Sequence, residues 1–396
     1  MNKLKKKNLF VEINDTNFLV AVGEYDDELN FKIVEKEIFS PSGFKNGKVV
    51  NLEISGDNLK KTINKIENRS NLFFNDVNII INQSDFDCVN VSGFKKLNGN
   101  QILSEDISYI LNDVKSKLTE AEKCKTIIHL FNTKYLLDNK NIKNLPIGLY
   151  GEFYSHQLTF FLINDNELKN IKTLFNKCNL SITKIILKSF TDGIKIINKD
   201  KKDTFIKIKI NKDDTQLICF YDSAFCFFQK FNFGSDIIIK DISKVCSLEI
   251  SDVRNIVSKS NFEISDQNMY VDKNFFIESK FRKISLKHLV EISSARIEEI
   301  VNIVFNLNQN LNNLKNKEID LYLDFDDKDI LCKFNKVFKN NFKKYNLNFN
   351  NFDEEDSFSS IKIFGELLSK GWTKEAIPVV NKKKSFISSI FSSLFD

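Results

Sequence analysis

The chain has 396 residues, of which 42% are hydrophobic and 28% are charged, and its formal net charge is +5 at pH 7. This length predicts two or more domains with ample apolar material for their cores, and so mild a net charge gives no argument for nucleic-acid binding. Seven cysteines without a CxxC pair, with only three histidines, exclude a disulfide framework and a zinc site.

The first residues, MNKLKKKNLFVEIND, are basic but contain no apolar segment long enough for an export signal. No stretch of the chain approaches the ~20 consecutive apolar residues that span a bilayer. We therefore expect a protein that stays in the cytoplasm and has no transmembrane helix.

Three apolar runs within residues 8–39 predict a β-meander, broken at Asn14-Asp15 and at the acidic stretch 26–28. A helix is predicted within 56–71, where apolar residues repeat at helical spacing, and a buried strand follows over 77–82. Strands followed by a helix and a further strand indicate an α/β domain.

Residues 83–164 differ in character, with a strand, a helix beginning at Ser104, and two further strands that we expect to pair. This segment is predicted to be an inserted subdomain. A second strand-rich block over 203–234 again contains three apolar runs, and helices follow over 235–260. Because the three-strand opening occurs once in each half, the pattern favours a duplicated, actin-type fold.

Four segments, in the same order along the chain, resemble the bacterial cell-division family FtsA, and the last of them is the most specific: FSPSGFKNGKVVNLEISGDNLKKTINKIE (39–67), KTIIHLFNTKYLLDNKNIKNLPIGLYGEFYSHQLTFFLIN (125–164), FNFGSDIIIKDIS (231–243) and RKISLKHLVEISSARIEEI (282–300). The resemblance covers nearly the whole length, including the tail. It implies an α/β, actin-like (ribonuclease H-like) duplicated fold, with a subdomain inserted in the first half and a C-terminal amphipathic helix.

The resemblance also implies a division of the chain into subdomains. The first half comprises an actin-like subdomain (1–82 and 165–202) and the inserted subdomain (83–164). The second half comprises an actin-like subdomain (203–238 and 303–372) and a small FtsZ-binding subdomain (239–302). A linker (373–383) and a membrane-targeting helix (384–396) complete the chain.

Proteins of the FtsA family tether the tubulin-like polymer FtsZ to the inner face of the membrane. The resemblance therefore implies a scaffold of cell division on the cytoplasmic face of the bacterial inner membrane, at the division site. Its implied partners are the C-terminal peptide of FtsZ, further copies of itself in a filament, inner-membrane lipids and other division proteins, with no nucleic acid.

The closing segment, NKKKSFISSIFSSLFD, has the pattern of a membrane anchor. On a helix its large apolar residues fall on one half of the circumference and serines fill the other. The apolar residues are Phe386, Ile387, Ile390, Phe391, Leu394 and Phe395, and the basic residues that precede them are Lys382, Lys383 and Lys384. Such a helix lies in the membrane interface, weakly as a single copy and firmly when many act together.

The alternative is that this amphipathic helix docks on its own protein. A polar segment with a helix-stopping Pro378 separates it from the last predicted folded element, at 357–372, which favours the membrane.

Family members hold ATP and magnesium with two glycine-bearing hairpins, and the first of these departs from the family pattern here. Glu12 stands where the family has aspartate, Asn14 where it has glycine, and Asn17 where lysine is common. Asp15 and Thr16 still offer oxygen atoms, so this half of the site is weakened.

The second hairpin departs further. By the resemblance, Lys209 stands where the family has the aspartate directed at magnesium. Residues 211–214 stand where the family has glycines and the first threonine, and only Thr215 matches the family. Residues 325–327 (Phe325, Asp326, Asp327) replace the small residues that make room for the base and ribose. The sequence therefore predicts that binding of ATP and magnesium is lost or remodelled, although a compositional bias that altered a working site remains open.

The segment 282–311 predicts a helix that begins at Ser285 and follows a basic start. Basic residues of this segment match positions with which the family binds the acidic FtsZ peptide: Arg282, Lys283, Lys287 and Arg296. The alternative is a solvated basic helix face.

No catalytic base, nucleophile or metal cluster is evident, so we assign no catalytic residue and no metal ligand. We expect a non-enzymatic scaffold. The alternatives are an ATP-binding actin-fold ATPase or kinase, and an actin-like scaffold of pilus assembly.

Overall fold

The computed structural model describes residues 7–14, 17–40, 42–45, 47–82, 85–260, 262, 269–312, 319–326, 328–349 and 357–376. These residues divide into two compact units. The first is drawn from residues 1–203, 220–227 and 354–396, and the second from 204–219 and 228–353.

The first half opens with the predicted meander. Its elements, in chain order, are β1 (Asn8–Ile13), β2 (Phe18–Tyr25), β3 (Phe31–Phe39), β4 (Phe44–Lys45), β5 (Lys48–Val49), α1 (Leu52–Ser70) and β6 (Asp76–Ile81). Helix α1 begins where the side chain of Asn51 accepts hydrogen bonds from the backbone N–H groups of Glu53 and Ile54, each 3.0 Å long. The helix ends at Asn71, which takes the left-handed conformation.

The inserted subdomain follows β6, and the chain then returns to the first sheet. The inserted elements are β7 (Phe86–Lys96), α2 (Ser104–Ala121), β8 (Lys125–Leu137), β9 (Lys140–Ile142) and β10 (Phe153–Asn164). The returning elements are α3 (Asp165–Asn176), β11 (Ser181–Leu187) and α4 (Lys188–Asp200). The inserted sheet has the order β7-β10-β8-β9, and β10 is antiparallel to both β7 and β8.

The second half repeats the plan of the first. Its elements are β12 (Phe205–Ile210), β13 (Thr215–Tyr221), β14 (Ala224–Phe231), α5 (Asp236–Cys246), α6 (Ile250–Lys259), α7 (Leu286–Val301), β15 (Asp320–Phe325), α8 (Lys328–Asn341), β16 (Asn346–Phe349) and α9 (Ser359–Lys370). Short helical turns lie at Lys273–Phe275, Asn302–Asn306 and Gln309–Leu311.

The two five-stranded sheets have the same strand order. The first runs β3-β2-β1-β6-β11 and the second β14-β13-β12-β15-β16. In each sheet a three-strand meander is extended by two further strands that lie parallel to its first strand or to each other. The duplication predicted from the repeated meander is therefore confirmed.

Helix α9 corrects one predicted boundary. Residues 303–372 were expected to belong to the second half, but α9 packs on the first sheet. Phe364 contacts Phe10 edge to face at 5.6 Å, and the Tyr25 hydroxyl donates to the Gly365 carbonyl at 2.8 Å. A Cβ atom at Gly365 would lie 2.2 Å from Cγ of Phe31, so only glycine permits this approach.

A second correction concerns the predicted linker over 373–383, because its first residues are packed. Residues 372–376, here called the terminal strap, lie beside β8. The Asn132 N–H donates to the Lys374 carbonyl at 2.9 Å, and the Ala376 N–H donates to the Leu130 carbonyl at 2.7 Å. Ala376 is fully buried in the core of the inserted subdomain.

None of the helices in the described part of the chain combines the length and apolarity that crossing a bilayer requires.

Candidate nucleotide and partner sites

The first hairpin brings a buried carboxylate against a lysine. Glu12, on β1, is fully buried, and its Oε1 accepts hydrogen bonds from Lys188 Nζ and, at 3.0 Å, from Asn14 Nδ2. Lys188 Nζ also donates to Asn14 Oδ1 at 2.9 Å, and Asn14 Nδ2 donates to Asn17 Oδ1 at 3.1 Å. Glu12, Asn14 and Asn17 are therefore linked by hydrogen bonds, and one ammonium group contacts both Glu12 and Asn14.

Lys188 occupies an unusual place for a cation. It is the first residue of α4, where the positive end of the helix dipole disfavours a positive charge. The contact with Glu12 and Asn14 offsets that cost. Asp15 and Thr16, predicted as family-equivalent nucleotide ligands, lie outside the described residues.

The second hairpin is also closed by its own groups. Thr215, its one match to the family, is fully buried and donates its hydroxyl to the Phe233 carbonyl at 2.8 Å. Across the turn, Asn211 Nδ2 donates to Asp214 Oδ1 at 2.7 Å. The Asn211 carbonyl accepts from the Ser235 N–H at 2.9 Å, at the beginning of α5.

Two lysines on β12 contact acids that lie on β15 or directly after it. Lys207 is fully buried, and its Nζ lies 3.1 Å from Asp324 Oδ2. Lys209 Nζ lies 4.0 Å from Asp326 Oδ1. Phe325, between the two acids, is buried and packs edge to face against Phe338 at 4.8 Å. Asp327 lies outside the described residues.

Each half of the predicted nucleotide site is thus bonded internally. A carboxylate that already contacts an ammonium group is a poor ligand for the water shell of magnesium, and a hydroxyl that donates to a buried carbonyl is turned away from phosphate. In both hairpins, the polar groups named above are therefore hydrogen-bonded to other groups of the same chain.

A loop in the predicted partner-binding subdomain is held by one carboxylate. Asp252, in the first turn of α6, accepts hydrogen bonds from the backbone N–H groups of Ile277 at 2.7 Å, Glu278 at 3.2 Å and Ser279 at 2.6 Å. Burial alone raises the pKa of Asp252, but hydrogen bonds from Ser279, Ile277 and Glu278 outweigh it and lower that pKa to about 2. This clamp fixes the loop that precedes α7.

Large apolar side chains are exposed around this clamped loop. Ile277 is 74% exposed, which is unusual for an isoleucine in a fixed loop. The other exposed apolar residues of this surface are Ile250, Met269, Tyr270 and Phe281. We call these five residues the apolar surface of the small subdomain.

Three of the four predicted peptide-binding cations lie at the beginning of α7, which Ser285 caps as predicted. Lys283 Nζ lies 4.3 Å from the ring centre of Tyr270, within the apolar surface. Arg282 is exposed and donates from Nη1 to the Cys246 carbonyl at 3.3 Å. Lys287 is exposed and is the second residue of the helix.

Arg296 is placed differently from the other three. Its guanidinium donates to Asp241 on α5 and, at 2.5 Å, to Glu299 on its own helix. The hydrogen bond to Asp241 raises the pKa of Arg296 further. The side chain therefore joins α5 to α7, and the structure does not group it with the other three cations.

The terminal strap contains a buried acid–imidazole pair. His129, on β8, is fully buried, and Nε2 accepts a hydrogen bond from the Leu187 N–H at 3.1 Å. The proton therefore lies on Nδ1, which donates to Glu375 of the strap. Lys374 Nζ contacts Asp222 Oδ2 at 2.6 Å. The predicted membrane-binding residues, Lys382 to Phe395, lie outside the described residues.

Comparison with known proteins shows which proteins this chain is similar to. The chain is 24% identical over 312 residues to the cell division protein FtsA of Buchnera aphidicola subsp. Schizaphis graminum, covering 77% of this chain and 74% of that protein. It is 20% identical over 298 residues to FtsA of Neisseria meningitidis serogroup B, covering 74% and 72%. The chain is a divergent relative of FtsA. No protein-family model matches it.

The fold of this FtsA relative is actin-like, as predicted. Among solved structures, a chain of the PilM-PilN type IV pilus biogenesis complex superimposes with a TM-score of 0.51 at 8% identity, covering 99% of both chains. At this identity the likeness concerns the fold alone.

Two contacts of the candidate sites in this FtsA relative could not be predicted from the sequence. Lys188 is 176 residues from Glu12, and no local pattern marks it except a lysine at the start of a helix. Asp252 has the signal of an acid in the first helical turn, but its three loop donors lie 25 to 27 residues further along the chain.

Proposed function

We propose that this chain is a membrane-attached, actin-like scaffold of bacterial cell division that links an FtsZ-type polymer to the inner membrane and acts without bound nucleotide. The observation that carries the proposal is the similarity to FtsA proteins over about three quarters of the chain. The same similarity favours cell division over pilus assembly, because the likeness to the pilus-biogenesis chain concerns the fold alone.

The contacts of Glu12 support the absence of nucleotide. Lys188 brings a permanent positive charge to the carboxylate that the sequence resemblance implies for the magnesium shell. A hydrated magnesium ion has to displace that ammonium group or share the carboxylate with it, and both arrangements bring like charges together. In the second half, Lys209 stands at the other magnesium-directed position, close to Asp326.

The surface of the small subdomain supports the binding of a peptide that is both acidic and apolar. Ile277 and Phe281 offer apolar area, while Lys283 and Lys287 offer positive charge at the beginning of α7. Salt bridges at an exposed site contribute little by themselves, so we assign the affinity to the apolar residues and the choice of partner to the lysines.

The test is recruitment of a fluorescently labelled FtsZ C-terminal peptide to vesicles that contain anionic lipid. We expect the full chain to pellet with vesicles and to bring the peptide with it. Phe391→Glu places a charge in the apolar half of the helix that the sequence predicts for the tail, so neither protein nor peptide should pellet. Phe73→Glu is the matched control, because Phe73 is 89% exposed in the first unit.

A second variant separates the membrane from the partner. Lys283→Glu combined with Lys287→Glu should still pellet with vesicles but should bring down roughly tenfold less peptide, since two attractions become repulsions. Equal pelleting of wild type, Phe391→Glu and a chain ending at Val380 contradicts the membrane role. Unchanged peptide recruitment by the lysine variant contradicts the assigned surface.

A further inference from the structure

The inserted subdomain has an open sheet edge. β7 is the outermost strand of its sheet, and all eleven of its residues pair with β10 on the inner side, without a register shift. Among the described residues no strand pairs with its outer side. Such an edge presents a row of N–H and C=O groups that favours addition of another strand.

The edge lacks the features that usually prevent pairing. Between Asp87 and Lys95 the strand reads CVNVSGF, with no charge and no proline. Its register is continuous, so no bulge turns the edge aside. Natural sheets protect long edges with charges, prolines or bulges, and here charges stand only at the two ends.

A groove of about 380 Å³ follows this edge between β7 and α2. Its floor is apolar, with Val91, Val114 and Leu118 among its lining residues. Gly93 lets α2 approach the strand, because a Cβ atom there would lie 2.3 Å from Cγ2 of Ile110. The groove offers space for side chains of a further strand on the α2 face of the sheet.

We propose that the occupant is β7 of a second copy of this chain, paired antiparallel with Val91 on the two-fold axis. In that register Asp87 lies opposite the partner's Lys95, and the symmetry produces this ion pair twice. Asp87, Val91 and Lys95 lie on the same α2 face as Gly93, because each is an even number of positions (two or six) from it along the strand. A shift by two residues instead places Asp87 opposite Gly93 or Leu97 and loses the ion pair.

Both charges are partly exposed, although each already contacts a neighbour in its own chain. Asp87 is 54% exposed in its contact with Lys125, and Lys95 is 37% exposed in its contact with Asp106. On the other face of the sheet Phe94, 66% exposed and stacked on Phe153 at 5.6 Å, comes opposite the partner's Cys88. An in-register parallel pair brings like charges together, so the strand is complementary to itself only in the antiparallel sense.

The test uses two charge reversals of the full chain, Asp87→Lys and Lys95→Asp, followed by analytical ultracentrifugation. Each variant alone places like charges opposite each other at both ends, so its self-association should be roughly tenfold weaker than that of wild type. In an equimolar mixture, the edge of one variant carries lysine at both positions and the edge of the other carries aspartate at both. The two variants should therefore pair with each other, and association should recover. Asp57→Lys, an exposed reversal on α1, is the control.

A cross-link provides a readout that does not depend on charge. Val91→Cys places two thiols opposite each other on the two-fold axis, and mild oxidation should give a disulfide-linked dimer that wild type and Asp57→Cys do not give. Association of either charge variant at the wild-type level, or no recovery in the mixture, overturns the proposal. The edge would then bind an extended partner peptide or residues 377–396 of its own chain.

Discussion

At the residue scale, the ion pair between Glu12 and Lys188 places a covalently attached cation against a buried carboxylate. Glu12 is fully buried and Lys188 is about one-fifth exposed, so the pair is only partly screened by water. The sequence resemblance implies that this carboxylate belongs to a site for metal and nucleotide. Here the positive charge belongs to α4, which ties that helix to β1 whether or not nucleotide is present.

Removal of the lysine should therefore destabilise the protein. We expect Lys188→Ala to lower the free energy of unfolding by about 3 kcal/mol, because it leaves the Glu12 carboxylate buried without its counter-charge. Urea denaturation measures the change. Lys169→Ala, an exposed lysine on α3, is the control. Adding Glu12→Gln to Lys188→Ala should recover most of the loss, and no recovery would show that the ion pair is not the cause.

The clamp made by Asp252 gives a prediction about pH. Because its pKa is about 2 in the folded protein, below the ordinary value of 3.8, it stabilises the fold fully above pH 4. That contribution is lost as the pH falls through about 2. We expect Asp252→Asn to lower the free energy of unfolding by about 1–3 kcal/mol at pH 7. The carboxylate accepts the loop hydrogen bonds through both of its oxygens, whereas the nitrogen of the asparagine amide cannot accept any.

The measurement is the difference in melting temperature between wild type and Asp252→Asn from pH 7 to pH 2.5. It should be constant down to about pH 4 and should shrink below that. Asp57→Asn, an exposed carboxylate on α1, should show a small difference at neutral pH. A difference that grows as the pH falls would contradict the assigned role of Asp252.

At the element scale, the terminal strap attaches the end of the described chain to the inserted subdomain. Its hydrogen bonds with β8 are supported by the pair His129–Glu375, and Trp372 Nε1 donates to the Ser223 carbonyl at 2.8 Å. The strap therefore behaves as a short added strand, held by both backbone and side chains.

Truncation of the strap carboxylate should loosen this strand. Glu375→Ala removes the acceptor of a buried His129 N–H, which costs about 1–3 kcal/mol. We expect faster hydrogen exchange at the Asn132 and Ala376 amides, which form the strap bonds, with little change in β10. Glu366→Ala on α9 is the control. Unchanged exchange at both amides would show that the backbone contacts suffice without the carboxylate.

The elements that could be predicted from sequence are those with local signals. Both meanders, the start of α2 near Ser104 and the cap of α7 at Ser285 follow from apolar spacing and turn residues. The return of α9 to the first sheet and the packing of Ala376 depend on contacts between residues hundreds of positions apart, such as Tyr25 with Gly365. No local pattern encodes those contacts.

The same limit applies to the candidate sites. The absence of glycines from the hairpins is visible in the sequence, but the ammonium group that satisfies Glu12 is not. The basic residues before α7 are visible as well. Pattern alone did not separate Arg296 from them, because its partner Asp241 lies 55 residues away on another helix.

For this reason Arg296→Glu is a poor test of peptide binding. The reversed charge would face Asp241 and Glu299, so a loss of binding could follow from separation of α5 and α7. We expect this variant to lower the melting temperature as well as the affinity, whereas Lys287→Glu should lower only the affinity. Thermal denaturation of both variants beside the peptide titration distinguishes the two effects.

At the scale of the whole molecule, a scaffold without nucleotide should not change state with ATP. We expect calorimetric titration of ATP and magnesium into the full chain to give no saturable heat, because both hairpins are bonded internally. Binding tighter than about 1 μM, equivalent to about −8 kcal/mol, with dependence on magnesium would contradict this. Vesicle binding should likewise be equal with and without ATP.

The terminal strap also has a mechanical consequence. If residues beyond Ala376 are held at a membrane, any pull on them reaches the folded chain first at the Ala376–Leu130 hydrogen bond and next at the buried Glu375 carboxylate. The strap would then be the first part to yield under load, a release point that opens before either sheet is strained. The largest force that the attachment could carry would then be set by the five residues of the strap rather than by the stability of the whole fold.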